Sequence, residues 1–283
     1  MFFYDYSTRT AATGKIDASG AFAHLQTFPV NQFGKWPQIA SLGCGVLFFY
    51  SDEGANVLSA SGRVDGAGGY THLKDYPANQ FAKSFQVVPL GGGRVFFYNS
   101  TTGAAKVGKF DTSGNYTNLK DSQAGTFGKW TSIVPFETGE VFFYNGDFAD
   151  ETGTQAAIGK FDSFGAFSQT ASFPVNQFGK WSSITALAGR WALFQYSDGV
   201  SFPQETGQFT AAGAFNHKKN VALGRFWGAT PIDEGSQLFL YSSAGSDGGA
   251  FVKAASGRMD AAGDIKLRDL GPSFDRWSHI VAA

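Results

Sequence analysis

The sequence predicts an all-β fold made of six copies of one sheet-forming unit. The 283 residues include 30 phenylalanines and 37 glycines, and many aromatic residues separated by many glycines are typical of short strands joined by tight turns. A Phe-Phe-Tyr triplet recurs at intervals of about 47 residues. Repetition at that interval indicates a repeat architecture.

Each copy contains four strand-like runs in a fixed order. The triplet comes first, as in Phe48-Phe49-Tyr50, and a run such as Gly62-Arg63-Val64-Asp65 follows, with a glycine three residues after the Asp. Asp at the first and Gly at the fourth position are typical of a type I turn. A third run such as Tyr70-Thr71-His72-Leu73 and an aromatic-led run such as Trp36-Pro37-Gln38-Ile39 complete the unit.

Six such units account for the whole chain, so we expect one domain spanning residues 1–283, with repeats that begin near residues 1, 47, 95, 141, 193 and 238. The last two copies have drifted. Their triplets are expected at Phe194-Gln195-Tyr196 and Phe239-Leu240-Tyr241, and Thr210 replaces the turn Asp in the fifth copy.

Four short strands per unit fit the blade of a β-propeller. The triplets are apolar at consecutive positions, which indicates strands buried on both faces between neighbouring blades. The chain starts on a triplet strand and stops after the strand led by Trp277, so these two segments are expected to pair and remove two sheet edges. The predicted fold is an all-β, six-bladed β-propeller of four-stranded antiparallel blades, closed by its N- and C-terminal strands, with the Trp-led strands innermost.

Composition and charge narrow the range of functions. A net charge of −1 argues against a nucleic-acid partner, because phosphate binding needs a basic surface. A single cysteine, Cys44, excludes an intrachain disulfide framework and a cysteine-based zinc site. No apolar segment approaches the ~20 residues of a membrane span. No signal peptide is visible, so we expect a cytoplasmic protein or one exported without a cleaved signal.

The inner strands give no indication of a catalytic centre. They contain no Asp, Glu, Lys or Arg and one histidine, His279, so they offer neither paired carboxylates nor a nucleophile beside a base. His24, His72 and His217 fall at matching positions on outer strands of different blades, too far apart to share a metal, and are interpreted as exposed strand residues. We therefore expect no enzyme, no metal and no cofactor.

The segment that crosses from one blade to the next is the best candidate for a binding site. It reads Pro29-Val30-Asn31-Gln32-Phe33-Gly34-Lys35-Trp36 and returns almost unchanged from Pro174 to Trp181. Amides donate and accept hydrogen bonds, basic groups donate them, and Trp offers a flat apolar face. Sugars present the complementary mixture. The residues predicted to bind carbohydrate are Asn31, Gln32, Lys35, Trp36, Asn79, Gln80, Lys83, Lys129, Trp130, Asn176, Gln177, Lys180, Trp181, Arg225, Trp227, Arg276 and Trp277.

A structural interpretation of these residues stays open. Packing between blades alone explains the tryptophans equally well, and Asn31, Gln32 and their counterparts can cap the backbone of their own loop. A site at the fifth repeat is not expected, because the crossing there reads Asn220-Val221-Ala222-Leu223-Gly224.

The Trp-x-x-Ile strand followed by the Phe-Phe-Tyr strand, as in Trp36–Ile39 and Phe48–Tyr50, resembles the bacterial and fungal β-propeller lectins. The resemblance covers the repeat organisation of the whole chain and implies several glycan sites between adjacent blades, without a catalytic group. We therefore predict a multivalent lectin whose partners are glycans. The alternative is a non-catalytic protein-interaction or structural propeller, such as an adhesive or toxin-associated module. The sequence indicates no oligomeric state.

Overall fold

Short aromatic strands and glycine turns build one sheet after another along the chain. The computed structural model describes residues 1–84, 86–146, 155–196, 201–224, 226, 228–232, 235–242, 253–271, 274 and 277–283. Within them the strands form six antiparallel sheets of four strands each. The predicted six-bladed β-propeller is confirmed.

The strands follow in chain order. They are β1 (Phe2–Asp5), β2 (Thr10–Ile16), β3 (Phe22–Phe28), β4 (Gln38–Gly43), β5 (Val46–Ser51), β6 (Leu58–Val64), β7 (Tyr70–Asp75), β8 (Gln86–Gly91), β9 (Arg94–Asn99), β10 (Ala104–Phe110), β11 (Tyr116–Ser122), β12 (Ser132–Pro135), β13 (Glu140–Asn145), β14 (Gln155–Phe161), β15 (Phe167–Phe173), β16 (Ser183–Leu187), β17 (Trp191–Gln195), β18 (Gln204–Phe209), β19 (Phe215–Asn220), β20 (Gly228–Ile232), β21 (Gln237–Ser242), β22 (Lys253–Met259), β23 (Ile265–Asp269) and β24 (His279–Val281). A short 3-10 turn, Ala188–Arg190, precedes β17.

The two chain ends share one blade, as predicted. Blade 1 has the strand order β24-β1-β2-β3, and blades 2 to 6 take the next strands in groups of four, from β4–β7 to β20–β23. Phe3 of β1 pairs with Ile280 of β24. The first strands of the blades contact one another around the ring, from β24 and β4 through β8, β12 and β16 to β20. The Trp-led strands are therefore innermost.

Large apolar side chains of the second strands, most of them aromatic, fill each junction between neighbouring blades. Between blades 2 and 3, Phe48 and Tyr50 of β5 face Phe97 of β9. Phe81 of the crossing segment lies between them, with its ring centroid 5.2 Å from that of Phe48 and 5.0 Å from that of Phe97. Equivalent clusters occupy the other five junctions. Each second strand packs against two neighbours, which explains its consecutive apolar residues.

The repeated Asp residues stabilise the turns that follow the third strands. In the first copy the Asp17 carboxylate accepts hydrogen bonds from the backbone N–H groups of Ser19 at 2.8 Å and Ala21 at 2.9 Å, and Gly20 has a φ of 81°. Hydrogen bonds from the side chain of Ser19 and from these N–H groups lower the pKa of Asp17. The side chain and backbone of Asn115 lower that of Asp111, and the backbone N–H of Asp264 lowers that of Asp260. The turn interpretation of these residues is confirmed.

The fifth copy is displaced by one residue at its triplet; the sixth keeps the predicted triplet Phe239-Leu240-Tyr241 and is displaced by one residue at its Trp-led segment. In blade 5, Gln195 pairs with Ser183, as Tyr144 pairs with Ser132 in blade 4. Gln195, and not Tyr196, therefore holds the position of the triplet tyrosine. In blade 6, Tyr241 pairs with Gly228, so the position two residues earlier, which is tryptophan in blade 4, is Phe226.

Removal of one crossing phenylalanine tests the junction clusters. Phe81 is 1% exposed, and we expect Phe81→Ala to lower the free energy of unfolding by about 3–5 kcal/mol through the cavity it leaves. Phe164→Ala is the matched control, because Phe164 is 76% exposed, and its effect should stay within about 0.5 kcal/mol. Urea unfolding followed by fluorescence measures both. Equal effects of the two substitutions would contradict the packing described above.

Ring closure gives the fold a pH dependence. His279 Nε2–H donates to the Pro37 carbonyl of blade 2 at 2.7 Å, and burial lowers the pKa of His279 below 6.5. The unfolded chain therefore binds this proton more readily, so stability is complete above about pH 6.5 and declines as the pH falls below it. We expect the thermal midpoint to fall between about pH 7.5 and 5.5, and to fall less in His279→Gln. Identical pH profiles would refute this assignment.

Candidate functional site

Among the residues that the structure describes, four of the blade junctions contain an open pocket. Their volumes are about 500 Å³ between blades 6 and 1, 350 Å³ between blades 1 and 2, 350 Å³ between blades 2 and 3 and 540 Å³ between blades 3 and 4. Each lies between a crossing segment and the outer three strands of the following blade. We call them the 6/1, 1/2, 2/3 and 3/4 pockets. Their volumes are in the range of small-molecule sites, ~300–1,000 Å³.

An aromatic pair forms the base of three pockets. The ring centroids of Trp36 and Phe49 are 5.8 Å apart in the 1/2 pocket. The corresponding distances are 5.7 Å for Trp130 and Phe143 in the 3/4 pocket and 5.8 Å for Trp277 and Phe3 in the 6/1 pocket. All three tryptophans are partly exposed and line their pockets.

Small residues on the third strand leave room above this base. Ala12 pairs with Phe3, Ala60 with Phe49 and Ala157 with Phe143, and all three alanines line pockets. In blade 3 the partner of Phe97 is Lys106, whose ammonium lies 3.4 Å from the Asp121 carboxylate. At the bottom of the 2/3 pocket the small alanine is therefore replaced by the charged Lys106 side chain.

Polar side chains of the fourth strand form the outer wall. In the 1/2 pocket His72 Nε2 lies 3.3 Å from Asp75 Oδ2. In the 6/1 pocket His24 Nε2 lies 3.0 Å from Thr27 Oγ1. His24 and His72 are exposed strand residues, as predicted, but they also line the pockets and were not among the predicted site residues. The recurring polar residue with a partner three residues later was the signal available in the sequence.

The triplet tyrosines hold the crossing segments in place. The Tyr144 hydroxyl donates to Gly179 O at 2.7 Å and accepts from the Trp181 N–H at 3.0 Å. Tyr50 donates to Ala82 O at 2.8 Å, and burial raises its pKa to about 12, so this phenol stays protonated and can donate. In blade 5 the Gln195 amide replaces the phenol and donates to Phe226 O at 3.3 Å.

The structure places five of the predicted residues at these pockets. Gln32 and Trp36 line the 1/2 pocket, Lys83 the 2/3 pocket, Trp130 the 3/4 pocket and Trp277 the 6/1 pocket. The tryptophans also pack against the junction clusters, so packing and ligand contact are compatible roles.

Most of the predicted amides lie on the crossing turn outside the four pockets. Asn31, Asn79 and Asn176 have φ of 66°, 63° and 63°, and Gly125 takes the matching position with φ of 81°, as the third residue of a type II turn requires. The Asn79 side chain also accepts from Val57 N at 2.8 Å. The interpretation as backbone caps therefore explains Asn79. Gln80 and Gln177 are also exposed and lie outside the four pockets.

The predicted lysines of the crossing other than Lys83 also lie outside the four pockets. Lys35 Nζ is 5.9 Å from the ring centroid of Tyr6, a cation–π contact. Lys129 and Lys180 are exposed. Trp181 is partly buried against Phe194, at a centroid distance of 5.6 Å. Outside the described residues lie Arg225, Trp227 and Arg276.

The structure was also searched for metal sites and for membrane-spanning helices. Among them no three His, Cys, Asp or Glu side chains come together as metal ligands. A membrane-crossing helix is also absent from the part of the chain that the structure describes.

Comparison with known proteins supports the fold and goes no further. No protein-family model matches the chain, and no curated protein matches it. A candidate 6-phosphogluconolactonase from Bacteroides fragilis superposes with a TM-score of 0.57 at 9% identity, over 96% of this chain and 93% of that one. The periplasmic gluconolactonase PpgL of Pseudomonas aeruginosa gives 0.55 at 12% identity, over 95% and 98%. A chain of a nidogen–laminin complex gives 0.51 at 12% identity, over 92% and 89%.

These neighbours correct two expectations. The resemblance to β-propeller lectins is confirmed for the architecture alone, because the neighbours are named for lactonases and for a nidogen–laminin complex. The prediction that the chain is not an enzyme is contradicted, because propellers of the same fold are named as lactonases; at 9% and 12% identity the likeness shows the fold and gives this chain no activity. That prediction considered the inner strands and overlooked the junction pockets, where His72 and Asp75 lie together.

Proposed function

We propose that this propeller binds carbohydrate at several of its blade junctions. The observation that carries the proposal is the recurrence of one pocket design, in which a tryptophan and a phenylalanine form the base and polar side chains form the wall. A pyranose presents an apolar C–H face and a rim of hydroxyl groups. It complements such a pocket on both counts.

Sugar hydroxyls find both donors and acceptors in these walls. The 1/2 pocket offers the His72 imidazole and the Asp75 carboxylate, and the 6/1 pocket offers the hydroxyl groups of Thr8, Thr10 and Thr27. Pockets this open bind single sugars weakly. Their arrangement on one ring favours multivalent binding, in which several weak sites engage one glycan surface together.

Loss of the aromatic base should abolish sugar binding at one pocket at a time. We expect Trp36→Ala and Trp277→Ala each to reduce the number of sugars bound, because the exposed ring face and its stacking surface are lost. Isothermal titration and a glycan array measure this. Trp191→Phe is the control, since Trp191 is 5% exposed and belongs to the core between blades 5 and 6.

A wild-type protein that binds no glycan, and whose tryptophan fluorescence is unchanged by simple sugars, would refute carbohydrate binding. Binding to a protein partner that free sugars do not displace would instead support the alternative of a protein-interaction propeller.

A second candidate function is hydrolysis of a sugar lactone in the 1/2 pocket. The observation that favours it is the His72–Asp75 pair, and two structural neighbours are named for lactonases. The Asp75 carboxylate, with Oδ2 3.3 Å from His72 Nε2, stabilises the imidazolium that forms when Nδ1 takes a proton from water. The hydroxide attacks the lactone carbonyl, the ring C–O ester bond breaks, and the proton returns from His72 to the departing oxygen.

The lactone proposal is tested by proton release from glucono-1,5-lactone at constant pH. We expect the wild type to exceed the spontaneous rate and His72→Gln to lose about 10²–10⁴-fold of that excess, as for removal of a general base. His24→Gln is the matched control, because His24 pairs with Thr27 and not with a carboxylate. A wild-type rate equal to the spontaneous one rules this activity out.

A further inference from the structure

A β-bulge shapes the outer wall of the pockets. The register between β6 and β7 shifts between Ser61 and Gly62, and shifts recur at the same place in blades 1, 3, 4 and 5. Residues three apart in a regular strand face opposite sides, but one inserted residue brings them to the same side. The bulge therefore lets His72 and Asp75 face one pocket together.

In other blades the bulge brings different polar side chains together. Asn118 Nδ2 donates to Asp121 Oδ2 at 2.9 Å in blade 3, and His24 meets Thr27 in blade 1. In blade 6 the two outer strands pair without a shift. The wall is thus a feature of the fold that varies in chemistry from blade to blade.

The 1/2 and 3/4 pockets share their base and differ in the charge of their walls. Trp36 with Phe49 and Trp130 with Phe143 have interplanar angles of 50° and 55°, so the stacking surfaces are alike. Among its described lining residues the 1/2 pocket has Asp75 and no Lys or Arg. The 3/4 pocket has Lys120 and, among the described residues that line it, no Asp or Glu.

The opposite charges of Asp75 and Lys120 favour different substituents on a bound sugar. The Asp75 carboxylate, an acceptor of two or more hydrogen bonds, suits adjacent hydroxyls of a neutral sugar and repels a sugar carboxylate. The Lys120 ammonium forms a charge-assisted hydrogen bond with a carboxylate, and Ser122 and Gln169 supply neutral hydrogen-bonding groups beside it.

We propose that the two pockets select sugars by charge: the 1/2 pocket takes a neutral pyranose through Asp75, and the 3/4 pocket takes a carboxylate-bearing sugar through Lys120. This inference rests on the proposed carbohydrate binding. With both pockets occupied, the propeller would bind glycans that carry a neutral and an acidic sugar together.

The test uses two sugars that differ only at C6, methyl glucopyranoside and methyl glucopyranosiduronate, with the intact chain. Isothermal titration of Lys120→Gln should show about a tenfold weaker affinity for the uronate, the scale expected for a lost charge-assisted bond, and an unchanged affinity for the neutral glycoside. Asp75→Asn should weaken the neutral glycoside and leave uronate binding at the 3/4 pocket intact. Added salt should weaken binding of the uronate alone.

The outcomes separate the two proposals. Equal loss of both sugars in either variant, or uronate binding that does not depend on Lys120, overturns selection by charge while carbohydrate binding stands. A wild type that binds neither glycoside overturns both. Asp75 and Lys120 are exposed, so both variants should fold, and thermal unfolding verifies this before titration.

Discussion

The structure depends on the aromatic contact between neighbouring blades. The second strand of each blade sends side chains to both sides, as Phe48 and Phe49 do, and both are fully buried. A blade alone would expose these rings, and each buried phenylalanine contributes about 1.5–3 kcal/mol through removal from water. Such strands are stable only with a neighbour on each side. A closed ring satisfies that condition for every blade, and pairing of β1 with β24 completes it.

The same contact creates the pockets. The crossing segment delivers a phenylalanine to the junction, and the triplet tyrosine fixes the segment through both its donor and acceptor capacity, as Tyr144 does with Gly179 and Trp181. The tryptophan that follows is therefore held at the base of the pocket against the second phenylalanine of the triplet. Alanine on the third strand leaves the space above them open. Core packing and the pocket base are one set of residues, so loss of the base also affects stability.

The sequence predicted the fold well because its signals are local and repeated. The triplets indicate strands, the Asp–Gly pairs indicate turns, and the terminal segments indicate the two sheet edges that pair with each other. The errors have physical causes as well. Gln195 replaces the triplet tyrosine because an amide also reaches the crossing backbone, a substitution that aromatic pattern matching misses. The amides of the crossing were predicted to bind ligand, yet Asn79 serves a left-handed turn position that Gly125 fills elsewhere. The pocket wall escaped prediction because a bulge reverses which residues share a face.

Repetition also bears on the choice between binding and hydrolysis. An aromatic base recurs in three pockets, whereas the His72–Asp75 pair occurs in one of the four described. Catalysis needs a single constellation with a base and stabilising donors placed for one reaction, and copies elsewhere on the ring add nothing to its rate. Binding to a surface of many sugars gains from every copy. The recurrence of the pocket therefore favours the proposed carbohydrate binding, whereas the proposed hydrolysis rests on the 1/2 pocket alone of these four.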